Sequence, residues 1–117
     1  MTRSNIFVTL TGGKKLFFVL DSSTAPEQGY IVEKFILPLL ALNDQDKEIA
    51  FIHKNSDSIN EKRTTASYRY IIDLQQKRVQ FFVEHYNYKT DRFRRGKDLT
   101  EKRYLPYLRS VNQSTII

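Results

Sequence analysis

The chain has no cysteine and no tryptophan, one methionine, two histidines, three prolines and four glycines in 117 residues. Without cysteine there is no disulfide framework, no thiolate metal site and no sulfur nucleophile, and a reducing compartment fits. With so little Pro and Gly, and an apolar share of 40% that includes eight Phe and seven Tyr, the composition is that of an ordered globular domain. Long hydrophobic runs are missing too. The most apolar stretch, residues 31–42, carries Glu33, Lys34 and Pro38 and is too short to span a bilayer. Met1-Thr2-Arg3-Ser4-Asn5 leads into alternating residues and not into the apolar core of a secretory signal, so a cytoplasmic protein is expected.

The net charge is +6, and its position is informative. Residues 1–88 hold eleven Lys/Arg against ten Asp/Glu, whereas residues 89–109 hold eight against three. Five of the six excess charges therefore lie in the second, much shorter stretch, which raises the local potential and favours an acidic partner.

Period-two patterning dominates. Asn5 to Leu10 and Lys14 to Leu20 flank Gly12-Gly13, which predicts a hairpin with a two-residue type I′ turn pairing Val8 with Phe17 and Ile6 with Val19. Apolar side chains then occupy both faces, so the hairpin is expected to be covered twice or to lie at an interface. Thr24-Ala25-Pro26-Glu27 has the form of a capping box, and Ile31, Phe35, Leu39 and Leu42 follow at helical spacing. Pro38 predicts a kink or two short helices there, and a strand over 30–37 is the alternative. Residues 48–53 read as a strand, and 54–65, with Ile59 its one large apolar side chain, as a mobile surface loop. Residues 66–89 alternate again and predict a second hairpin turning within 74–78. Residues 90–97 read as a basic loop. Asp98-Leu99-Thr100-Glu101 then opens a helix carrying Tyr104, Tyr107, Leu108 and Val111, interrupted at Pro106.

The expected fold is thus one α+β domain over residues 1–111 with a tail at 112–117, in the order β-β-α-β-β-β-α. A mainly antiparallel sheet of four to five strands would carry two proline-interrupted helices. The recurrence of Leu-Pro-x-Leu at 37–40 and 105–108 does not amount to a repeat.

Phosphates call for clustered cations and unpaired bases for aromatic platforms. Lys89, Arg92, Arg94, Arg95 and Lys97 supply the first, with Tyr88 and Phe93 as stacking groups and Lys102 and Arg103 extending the charge. The leading expectation is a non-enzymatic protein contacting DNA or RNA through 89–109. Its rival is a small regulatory or inhibitory protein that binds an acidic protein surface, as a monomer or a homodimer. A metal-independent ribonuclease using His85 with Arg92, Arg94 or Arg95 comes third. His53 lies on another predicted strand, and Glu84 and His85, as strand neighbours, point to opposite faces. Thr11-Gly12-Gly13-Lys14-Lys15 lacks the frame of a phosphate-binding loop, Asp21 to Thr24 is ordinary capping sequence, and Asp44-x-Asp46-x-Glu48 lacks the glycine and distal glutamate of a calcium loop. No cofactor or metal is expected.

Overall fold

The computed structural model describes the backbone of residues 2–116 and the side chains of residues 2–111. A six-stranded mixed sheet has helices on one face. The strands are β1 (Ser4–Thr9), β2 (Lys15–Leu20), β3 (Ser58–Ile59), β4 (Tyr68–Asp73), β5 (Arg78–Asn87) and β6 (Arg92–Asp98), in the spatial order β3-β2-β1-β4-β5-β6. β1 and β4 run parallel, and every other neighbouring pair is antiparallel. The α+β class holds, with six strands in place of four or five and one parallel pair at the centre.

The first hairpin forms in a different register from the one its glycines suggest. Phe7 pairs with Phe17 and Val8 with Leu16. The Leu10 carbonyl accepts from Gly13 N–H and Leu10 N–H donates to the Lys14 carbonyl, closing a three-residue loop with Gly13 left-handed at φ 96°. The shift by one residue turns β2 over. Leu16, Phe18 and Leu20 now share the helix-covered face with Ile6 and Val8, and Phe17 and Val19 join Asn5 and Phe7 on the other. Burial selects this register, because it gathers the larger aliphatic set on one side.

Between β2 and β4 the chain is more helical than its pattern suggests. Thr24 is not a cap: its hydroxyl donates to the Thr2 carbonyl, and Gln28 reaches back to Ala25 N–H over a short 3-10 turn, Pro26–Gln28. A π turn, Ile31–Ile36, runs into α1 (Leu37–Leu40) with Pro38 in the first turn of α1. Leu37 N–H donates to Val32 O, five residues back, so the wider turn accommodates the missing Pro38 N–H. The same device serves Pro106: the π turn Thr100–Tyr104 precedes α3 (Leu105–Ile116), and Leu105 N–H donates to Thr100 O. The tail expected at 112–117 continues α3 as far as Ile116, and Ile117 lies outside the described residues.

Residues 48–53, expected as a strand, belong to α2 (Gln45–Asn55). Asp44 caps it by accepting from Lys47 N–H at 3.1 Å, Asp46 and Glu48 complement the helix dipole in the first turn, and Lys54 does so in the last. The surface loop expected at 54–65 begins in that last turn and contains β3, whose Ile59 lies opposite Phe18 and packs on the core. Residues 90–97, expected as a loop, form most of β6.

The core lies between the sheet and the helices. Ile6, Val8, Phe18, Tyr70, Ile72 and Phe81 face Ile31, Val32, Phe35, Ile36, Leu39 and Ile52. Tyr70 is wholly buried, and its hydroxyl donates to the Thr24 carbonyl at 2.6 Å. No helix among the described residues is long and apolar enough to cross a membrane.

Candidate nucleic-acid interface

β4 begins only at Tyr68, opposite Val83, but β5 continues to Asn87 and pairs there with the start of β6. Residues 85–94 therefore extend beyond the central strands as a two-stranded arm, with residues 88–91 as its tip. Asp91 turns the tip at φ 53° and accepts from the Tyr86 hydroxyl, a bond that raises the Tyr86 pKa above its ordinary value. The ladder is irregular between Phe82 and Glu84, where β6 has an extra residue around Gly96. A Cβ on Gly96 would stand 2.5 Å from the His85 ring and 3.0 Å from the Val83 carbonyl, so this bulge needs a glycine while His85 lies across it.

The basic residues divide three ways. Lys89, Arg92, Arg94 and Lys97 are exposed, and no carboxylate among the described residues pairs with them. Arg92 and Arg94 lie opposite Asn87 and His85, and with Tyr88 these residues line a shallow cleft of about 630 Å³. Tyr88, at the tip, is 78% exposed, the most open large apolar side chain described. Phe93 and Arg95 point to the opposite face of the arm. Phe93 packs against Tyr86 at 4.8 Å between centroids, and the Arg95 guanidinium lies 4.8 Å from the centre of the Phe82 ring.

Lys102 and Arg103 stand apart from the arm, in the π turn before α3. Arg103 is taken up by the fold: it forms a two-pronged ion pair with Glu27 at 2.8 and 2.9 Å and donates to the Tyr68 hydroxyl at 2.8 Å. The Glu27 carboxylate raises the Arg103 pKa, and Arg103 in turn lowers that of Glu27. Lys102 lines a groove of about 790 Å³ between α1 and α3 whose rim carries both signs of charge, including Lys77, Asp98 and Glu101.

The two histidines do not converge. His53 is exposed in the last turn of α2 and His85 is exposed on β5. Glu84 points away from His85, onto the sheet face that the helices leave uncovered. There its side chain is 1% exposed, bound by Arg69 at 2.9 Å and by Asn5 Nδ2 at 2.9 Å. A carboxylate so fully occupied is structural and is not poised to carry protons. Among the described residues no group of three His, Asp or Glu side chains is arranged to hold a metal ion. Asp21, at the start of the capping sequence, is paired with Arg63 and Arg3, and Arg63 holds its carboxyl below the usual range.

The uncovered face also carries residues that sequence reasoning passed over: Phe7, Phe17, Lys62 and Arg69. Phe7 and Phe17 were legible as paired aromatics once the register is right. Lys62, in the polar stretch before β4, gives no sequence signal for its position. No protein-family model, curated protein or solved structure matches this chain.

Proposed function

We propose that this protein binds nucleic acid without cleaving it, its β5–β6 arm lying against phosphates through Lys89, Arg92 and Arg94, with Lys97 behind it on β6. One observation carries the reading: three exposed cations, Lys89, Arg92 and Arg94, share one protruding arm with Tyr88 at its tip, Lys97 follows on β6, and no carboxylate among the described residues pairs with any of the four. Cations that served the fold would be neutralised locally, as Arg103 is by Glu27 and Arg63 by Asp21. A cluster left unneutralised repels itself and is relieved by an anion such as the sugar-phosphate backbone. The acidic partner sought through residues 89–109 is thereby narrowed to residues 88–97.

Binding of single- and double-stranded oligonucleotides, measured at several salt concentrations, tests this. Four phosphate contacts predict a slope of log K against log salt of about −3 to −4, and Arg92→Ala with Arg94→Ala should reduce it by about 1.5 to 2. Lys102→Ala should leave the slope unchanged. Failure to bind any oligonucleotide at low salt would refute the reading and favour an acidic protein surface as partner. RNA cleavage that disappears in His85→Ala would replace it with a ribonuclease.

A further inference from the structure

Phe17 on β2 and Phe93 on β6 are separated in the sheet by three strands, so a flat sheet would hold them at least about 19 Å apart. Yet the Lys62 ammonium lies 5.7 Å from the centre of the Phe17 ring and 4.8 Å from that of Phe93. The sheet is therefore curled, with its uncovered face concave and β6 brought toward β2. The bulge at Gly96 is a place where β6 can bend.

Across this concavity the aromatic rings form a series with one gap. Phe7 stacks on Phe17 with an interplanar angle of 29°, and Tyr86 packs against Phe93. Lys62 occupies the space between the two pairs. Its backbone is fixed by its neighbour, because Arg63 N–H donates to Asn5 Oδ1 at 2.7 Å and Asn5 Nδ2 returns a bond to the Arg63 carbonyl at 3.2 Å. The Lys62 side chain is exposed and no carboxylate pairs with it among the described residues, so it can swing out without breaking an ion pair.

The surroundings say what would replace it. Arg69 lies over Phe7 at 4.7 Å and Arg95 over Phe82, while Glu84 is already neutralised by Arg69. A site lined by rings and cations suits a flat, electron-rich group attached to an anion and disfavours a cationic ligand. We infer that the gap between Phe17 and Phe93 is a nucleobase slot, and that the nucleic acid of this protein is single-stranded. A base enters between the rings, Lys62 moves to the adjoining phosphate, and the strand passes around the tip of the arm to Arg92 and Arg94 on its other face. Duplex DNA cannot use the slot, because its bases are already stacked.

The inference rests on the nucleic-acid reading above and is separable from it. A fluorescein-labelled oligothymidylate, an oligouridylate and an oligomer of abasic sites of equal length present the same phosphates, but only the first two have bases. The slot predicts that the base-bearing strands bind about fivefold to a hundredfold more tightly than the abasic one, as one stacked base requires. Phe17→Leu and Phe93→Leu keep an apolar side chain but lose the ring, and each should abolish most of that difference, read as the ratio of base-bearing to abasic affinity. Equal affinity for base-bearing and abasic strands in the unmodified protein would overturn the slot and leave the phosphate-binding arm standing. Preference for duplex over oligothymidylate would also overturn it, and no binding of any strand would remove both readings.

Discussion

Replacing Glu84 with Ala should destabilise this protein far more than substitution of an exposed charged residue. The Glu84 side chain is 1% exposed and that of Arg69 14%, so the pair is largely shielded from water. Removing one partner of a buried pair leaves the other charge uncompensated, at a cost of about 3–5 kcal/mol. Asn5, which is fully buried, also loses one of the two acceptors of its Nδ2 group, the other being the Arg63 carbonyl. Against a total stability of about 6–17 kcal/mol for a chain of this length, the loss is a large fraction. In urea the unfolding midpoint should fall with the m-value unchanged. The double variant Arg69→Met with Glu84→Leu removes both charges while retaining volume, and should recover most of the loss. A cost below about 1 kcal/mol for Glu84→Ala, or a double variant no better than the single, would show that the pair is solvated and that the uncovered face is flatter and wetter than described.

Tyrosine ionisation should be biphasic. Burial pushes the Tyr104 hydroxyl up to about 12 and that of Tyr70 higher still, so both hold their protons in the folded state where an unfolded chain would begin to lose them near pH 10. Their contribution to stability is complete below pH 10 and is lost as pH rises through the folded values, so absorbance at alkaline pH should show these two tyrosines titrating together with unfolding. Gly13→Ala, at φ 96°, should cost about 1–2 kcal/mol by thermal unfolding. Gly12→Ala should cost less, because the atoms a Cβ would meet there belong to the movable Gln45 side chain. Arg103→Met should lower the melting temperature without altering the salt slope of oligonucleotide binding, since that guanidinium is engaged by Glu27 and Tyr68; a changed slope would return Arg103 to the interface.

The two principal hairpins were legible because alternation is written into their sequence. The 66–89 pairing turns within the expected 74–78 window, where Asp73 Oδ1 accepts from Gln75 and Gln76 N–H in place of the usual Gly or Asn signal. Register was not legible. Gly12-Gly13 fits a two-residue loop and a three-residue loop equally well, and the choice is made by long-range burial of Leu16 and Phe18. Residues 48–53 misled because a six-residue window with Ile49, Phe51 and Ile52 satisfies both periods. The deciding signal lay outside it, in Asp44 as a cap. β6 was hidden for the opposite reason: an edge strand exposed on both faces has charged residues where a half-buried one would have apolar ones. At the candidate site the cations were visible as a run, but their division into exposed, ring-stacked and ion-paired groups depends on Glu27 and Phe82, which no local pattern connects to them.

The exposed cations of β6 have a competing explanation that charge reversal can separate from binding. A long edge strand invites pairing with another chain, and charged side chains prevent it. The opposite edge, β3, is protected by being two residues long, whereas β6 is seven residues long and has no such protection. Charge of either sign discourages edge pairing, but only positive charge attracts phosphate. Arg92→Glu with Arg94→Glu therefore keeps the edge guarded while inverting the field of the arm. If edge protection is the whole purpose, this variant remains monodisperse on sizing and loses nothing else. If the arm binds phosphate, it remains monodisperse and loses oligonucleotide binding at low salt. Neutral Arg92→Thr with Arg94→Thr should weaken both properties together. Lys89 and Tyr88 strengthen the binding account in advance of that test, since both lie in the turn beyond the last ladder pair, Asn87 with Arg92, where there is no strand edge to guard.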